Sequence, residues 1–165
     1  MNNQVKQLVM TGLFAAIICV ATLLLHIVIP FSQQGGYIHI GDTFIYIAAS
    51  VLPLPFAMLA GAIGAGLADL ISAPVYVIPT LIIKALMAAC FTNQGQKMLC
   101  KRNVIATVLA GLICIIGYYI AEAIMSGNLI APLAAVPMGL IQPMASGILY
   151  VFAAKMIGSK RLLRV

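Results

Sequence analysis

The sequence predicts an all-α integral membrane protein, a bundle of six transmembrane helices with both termini in the cytoplasm. Three observations predict it. Of the 165 residues 64% are hydrophobic and 7% charged, whereas a soluble globule carries about a quarter of its residues charged. The apolar runs are long and broken by Gly and Pro clusters, with none of the roughly ten-residue alternation of an outer-membrane barrel. Eight of the nine basic residues fall in three short polar stretches, the spacing that lets an even number of crossings hold them on one face.

The chain reads as a single transmembrane domain over residues 1–165. Span one covers about 8–29; Lys6 ahead of an apolar run has the look of a signal peptide, but no small-x-small cleavage site interrupts it before about Val28, so a retained helix is expected. Spans two (about 42–54) and three (about 56–72) divide the apolar stretch from Thr43 to Ile71, which is too long for one ~20-residue crossing. Pro53 and Pro55 mark a tight reversal within it. A single tilted, Pro-kinked helix is the alternative, and it would leave five spans with the termini on opposite faces. Spans four, five and six cover about 78–96, 104–126 and 136–157. With six spans, Lys6, the group Lys97, Lys101 and Arg102, and the tail Lys155, Lys160, Arg161 and Arg164 all share one face, whereas five would scatter them. The net charge of +6 then reflects topology and anionic lipid headgroups, and nucleic acid is not an expected partner. Cys19, Cys90, Cys114 and Cys100 show no metal-ligand spacing and read as packing residues, so no metal, cofactor or disulfide is expected.

The four remaining charges fall at one level. Asp42 opens span two, Asp69 lies near the end of span three, Lys84 in the first part of span four and Glu122 near the end of span five, with Gln142 in the first part of span six. His26, His39, Tyr37, Tyr46, Tyr76, Tyr118, Tyr119 and Asn128 fall at or near this outer level, while the inner half is almost purely Ala, Leu, Ile and Gly. An Asp or Lys at a helix centre costs roughly 2.5–3.5 kcal/mol on insertion scales unless it is paired or hydrated. A polar cavity open to the outside relieves that cost and is at the same time a solute site. Asp42 sits where an N-cap belongs, but Asp69 and Glu122 are acids near helix C-termini and Lys84 is a base in an early turn, each against its helix dipole. Two compatible readings account for them: a structural ion pair of Lys84 with Asp69 or Glu122, or a ligand pocket lined by at least two of the three. Tyr118 and Glu122 share a helix face, as do Gln142 and Ser146. His26 and His39 have no partner at metal-ligand spacing and read first as satisfied interface residues, and the tyrosines could equally form an interfacial belt.

Small residues mark the packing faces. Thr11, Gly12, Ala15 and Ala16 on span one give small-x-x-x-small pairs, and span three repeats the pattern from Ala60 to Asp69. Such faces pack helices together internally or, on the first helix, dock another membrane subunit. The stretch GAIGAGLAD (Gly61 to Asp69) lacks the Gly-Lys-Ser/Thr ending of a phosphate loop, and the chain has no other nucleotide-binding motif. Uphill movement of a solute would therefore draw on a partner or an ion gradient.

GYIHIGDTFIY (Gly36 to Tyr46), the LPLP turn, AGLAD (Ala65 to Asp69) and PTLIIKA (Pro79 to Ala85) together resemble the substrate-binding S-components of energy-coupling factor (ECF) vitamin transporters, most closely the riboflavin-transporter-like group. That resemblance implies a six-helix membrane bundle in the cell membrane, with a pocket in its extracellular half capped by the loop after helix one, here about residues 31–41. It also implies docking of the first helix, through Gly12, Ala15 and Ala16, on a transmembrane T-component driven by two ATPases.

The expected function is capture of a small water-soluble vitamin or precursor, without enzymatic activity. Substrate-binding candidates are Lys84, Glu122, Asp69, Tyr118, Gln142, His39, Asp42 and Tyr46. Glu122 could accept paired hydrogen bonds from an aminopyrimidine edge, Lys84 could donate to a hydroxyl or ring nitrogen and Tyr118 could stack, a set favouring hydroxymethylpyrimidine or pyridoxine over riboflavin. The rivals are a small proton-coupled carrier using Glu122 or Asp69, and a structural membrane subunit that binds no solute.

Overall fold

A computed structural model describes residues 2–28, 37–95 and 97–158. Residues 31–36 of the expected capping loop and the tail bases Lys160, Arg161 and Arg164 lie outside the described residues. The chain is helical almost throughout: α1 (Asn3–Leu24), α2 (Gly41–Val51), α3 (Leu54–Ser72), α4 (Val77–Ala89), α5 (Lys101–Ser126), the single turn α6 (Val136–Gly139) and α7 (Ile141–Ile157). Four stretches, Asn3–Leu24, Leu54–Ser72, Lys101–Ser126 and Val136–Ile157, are long and apolar enough to cross a membrane, while α2 and α4 are shorter.

Pro53 ends one helix and starts the next. A proline has no N–H to continue α2, and it is well tolerated at a helix start; Leu52 closes α2 on the Ala48 carbonyl at 2.8 Å, and the Pro53 carbonyl accepts the Ala57 N–H of α3 at 3.0 Å. A Cβ on Gly61 of α3 would lie 3.2 Å from Ile45 of α2, so the chain doubles back at the LPLP segment. The kinked single helix is thereby excluded.

Two helix ends fall short of those expected. Helix α1 ends at Leu24, short of residue 29, and the β-branched run that follows forms a strand, β1 (His26–Val28), paired antiparallel with β2 (Tyr37–His39). This two-stranded ribbon at the rim is the departure from an all-helical reading. At the other end α4 stops at Ala89 although apolar character continues, because the Asn103 side chain captures the backbone beyond it. Its Oδ1 accepts the Thr92 N–H at 2.9 Å and its Nδ2 donates to the Thr92 and Met98 carbonyls, both at 3.0 Å.

Asn103 belongs to a buried polar cluster that the apolar reading of this half overlooked. Its Nδ2 also donates to Ser50 Oγ at 3.2 Å, and Tyr150 Oη lies 2.8 Å from Ser50 Oγ and 3.0 Å from the Met98 carbonyl. Ser50 and Asn103 sit at the ends of α2 and α5 opposite to Asp42 and Glu122, and Tyr150 lies about two turns along α7 from Gln142. Lys6, Lys97, Lys101, Arg102 and Lys155 share that same end of the bundle.

The small-residue faces resolve into two roles. A Cβ on Gly64 would come within 2.6 Å of the Ala15 carbonyl and 2.8 Å of Ile18 Cβ, so α1 and α3 touch through their backbones at this point. Ala15, expected to face a partner subunit, is buried in this contact, whereas Gly12 and Ala16 remain exposed beside Leu8, Val9 and Leu13. The GAIGAGLAD stretch is thus a packing face for α1 and α4. Replacing Gly64 by Val should overpack the α1–α3 contact and destabilise the protein by about 1–3 kcal/mol, read as a lowered melting temperature in detergent. A melt equal to the wild type would contradict the close approach.

Candidate functional site

The ribbon strand β2, the end of α3, Tyr76 just ahead of α4, and the facing ends of α5 and α7 line a pocket open on one side, with about 690 Å³ of space free of atoms, open solvent at its mouth included. The short turn Ala131–Ala134 and α6 close one side. Aromatic rings and two carboxylates dominate the wall: Tyr37, Tyr76, Tyr118, Tyr119, Asp69 and Glu122.

Both carboxylates are held by hydroxyl donors. Asp69 accepts from Tyr37 Oη on one oxygen and from Thr80 Oγ1 on the other. Thr80 has one proton and gives it to Asp69, so Tyr118 Oη, 2.8 Å from Thr80 Oγ1, is the donor in that pair. A carboxyl group that accepts at both oxygens is arranged as an ion. Glu122 accepts from Tyr76 Oη at 2.7 Å.

Behind this wall lies a fully buried ion pair. Lys84 Nζ donates to Asp42 Oδ1 at 2.7 Å, and neither side chain has any exposed surface. Gln142 Nε2 donates to the other oxygen of Asp42 at 2.6 Å, while Gln142 Oε1 accepts the His39 backbone N–H at 3.2 Å. One glutamine thereby ties α7 to α2 and to the rim strand. Cys114 Sγ lies 3.9 Å from Lys84 Nζ and 4.0 Å from Asp42 Oδ2, and the ammonium sits 5.2 Å from the centre of the Tyr118 ring.

His39 is locked as well. The Gly41 N–H donates to its Nδ1 at 3.0 Å, which requires that nitrogen to be unprotonated and the ring neutral. Burial favours the same state, lowering its pKa to about 4 against the opposing pull of the Asp42 carboxylate. A Cβ on Gly41 would lie 2.1 Å from Thr22 Oγ1, so only glycine admits this contact between α1, the ribbon and α2.

Of the eight expected binding residues, His39, Asp69, Tyr118, Glu122 and Gln142 line the cavity. Three do not. Lys84 is buried behind the wall and pairs with Asp42, not with Asp69 or Glu122, because α2 and α4 bring these two charges together in the core while hydroxyl groups meet the other two acids. Asp42 is in the first turn of α2 and makes no capping bond; its carboxylate serves Lys84 and Gln142. Tyr46, one turn further along α2, points into the core, stacked on Phe91 at 4.8 Å and edge-on to Tyr150 at 6.0 Å. Tyr37, Thr80 and Cys114 were not assigned to the site from sequence. Four-residue spacing could have found two of them: Tyr76, Thr80 and Lys84 form one stripe on α4 and its entry, and Cys114, Tyr118 and Glu122 another on α5.

The sequence model of the ECF-type riboflavin transporter S component matches residues 2–158, nearly the whole chain. The protein belongs to this S-component family. Its members are integral proteins of the cytoplasmic membrane that serve in transport, not a class of enzymes. The chain is also 32% identical over 117 residues to a protein of Pyrococcus woesei described as "Uncharacterized protein in gap 3'region", an overlap of 67% of this chain and 74% of that one. An S-component is the substrate-binding subunit of an ECF transporter.

The ion pair makes a specific demand on stability. Lys84→Met leaves the Asp42 carboxylate buried without its counter-charge and should cost about 3–5 kcal/mol. Adding Asp42→Asn should recover a large part of that loss in detergent unfolding. A Lys84→Met protein as stable as the wild type would contradict the pairing.

Proposed function

We propose that this S-component captures a small water-soluble vitamin or precursor from outside the cell and hands it to an ECF module. That module consists of a transmembrane T-component and two ATPases. The carrying observation is the cavity itself, with stacking rings and two hydroxyl-held carboxylates, in a chain of a substrate-binding family. Buried carboxylates at helix C-termini oppose the local dipole, which is a cost to folding that ligand recognition explains.

In this reading the chain crosses the membrane six times, with α2 and α4 as the two short crossings. The five described bases other than Lys84 lie at the end opposite the cavity. The positive-inside rule then sets both termini in the cytoplasm and opens the cavity to the exterior. The ribbon β1–β2 serves as part of the lid.

The proposed cargo is a single substituted ring, hydroxymethylpyrimidine or pyridoxine. Glu122 accepts from its amino or hydroxyl edge, Tyr118 stacks on its face, and Gln142 and His39 complete the polar contacts. Lys84 has no part in the contact; it holds the wall. Riboflavin is the second reading, favoured by the family's own description. Gly12 and Ala16, exposed on α1, form the flat face that meets the T-component.

Calorimetric titration of the purified protein against these three compounds tests the reading. Glu122→Gln is expected to weaken the bound vitamin at least tenfold, about 1.4 kcal/mol, with the melting temperature of the unliganded protein unchanged. Binding to none of them, with uptake by this chain alone in liposomes under a proton gradient, would favour a carrier instead. Ala16→Trp should abolish uptake in cells while sparing binding, and normal uptake would remove the docking face.

A further inference from the structure

The wild-type cavity has a charge rule built into it. Three acids and one base, Asp42, Asp69, Glu122 and Lys84, are the formally charged side chains at this end of the bundle. Residues 29–36, the stretch between the ribbon strands, read Ile-Pro-Phe-Ser-Gln-Gln-Gly-Gly and bring no charge. Among the described residues Lys84 is the one lysine or arginine at this end, and both its position and its 2.7 Å contact commit it to Asp42. His39 adds no positive charge, because its Nδ1 accepts the Gly41 N–H. His26 stands on the exposed rim, its ring against Tyr37 at 5.2 Å. Among the described residues, the pocket lining therefore carries the two carboxylates Asp69 and Glu122 and includes no lysine or arginine.

From this geometry we propose that the cavity selects its ligand by charge: it accepts cationic or neutral, N–H- or O–H-rich rings and rejects the same rings bearing a carboxylate. The inference rests on the receptor reading above and specifies its substrate class. An anionic group inside the cavity faces two like charges at short range in a medium of low dielectric, where such repulsion is strongest. The hydroxyls that could answer it are already donating: Tyr37 and Thr80 to Asp69, Tyr118 to Thr80, and Tyr76 to Glu122. An amine or amide edge meets acceptors instead. The acids thus stand where a donor is needed in the ligand, and the base stands out of reach.

Charge series on a shared ring test this directly. The probes are pyridoxamine, pyridoxine and 4-pyridoxate; the 5-aminomethyl, 5-hydroxymethyl and 5-carboxy forms of 4-amino-2-methylpyrimidine; and riboflavin with its 8-carboxy derivative. Each is titrated at pH 7 into the wild type, Asp69→Asn and Glu122→Gln. In whichever series binds, the carboxylate should be at least tenfold weaker than its neutral partner, and in the two series that include an amine the amine should be at least equal to it. Either variant should shrink the ratio between the neutral compound and the carboxylate at least threefold, a change that general loosening of the site would not produce. A carboxylate that binds as tightly as its neutral partner would overturn the charge rule and leave the receptor reading standing. Failure of every compound in all three series to bind would overturn the receptor reading itself.

Discussion

A lysine ammonium and an aspartate carboxylate face each other across 2.7 Å at the junction of α2 and α4, with no exposed surface on either. Isolated, each charge would be expensive at this depth in a membrane protein. Paired, and with Gln142 donating to the second aspartate oxygen at 2.6 Å, they fix the relative positions of three helices. Gln142 extends the constraint to the rim through the His39 N–H. The wall of the cavity stands on this arrangement: Tyr118 lies under the ammonium, and Cys114 touches both charges.

The same pair decides what the cavity can offer. With Lys84 spent on Asp42, hydroxyl groups donate to the other two acids. Neutral donors stabilise a carboxylate without cancelling its charge, so the electrostatic character of the site stays negative. At the opposite end the Ser50, Asn103 and Tyr150 cluster is uncharged and fully internal, which suits a purely structural role. The two polar clusters occupy opposite ends of the same helices, one around a cavity and the other around a chain reversal.

Much of this was legible in the sequence because insertion cost makes a charged residue conspicuous among apolar ones. Asp69 and Glu122 announce themselves by opposing their helix dipoles, and both line the cavity. The Pro53 break between α2 and α3 follows from proline's missing donor. Pairing did not follow, because depth along the membrane normal says nothing about which helices are neighbours. Asp42 and Lys84 share a level with Asp69 and Glu122, and only the packing of α2 against α4 shows which acid takes the lysine. Tyr46 illustrates the same gap: its depth suits the site, but its face of α2 turns toward Phe91. Ala15 and Gly12 divide for the same reason, one against Gly64 and the other outward. Hydroxyl residues such as Thr80 escaped notice because threonine in an apolar helix carries no insertion penalty large enough to stand out.

In the proposed function Lys84 holds the wall and the acids meet the ligand. A structure of the protein with its copurified small molecule tests it most directly. The molecule is expected between Tyr118, Glu122 and Asp69, with Lys84 Nζ still on Asp42 at hydrogen-bond distance. A molecule in direct contact with Lys84, or one bound outside this cavity, would contradict it.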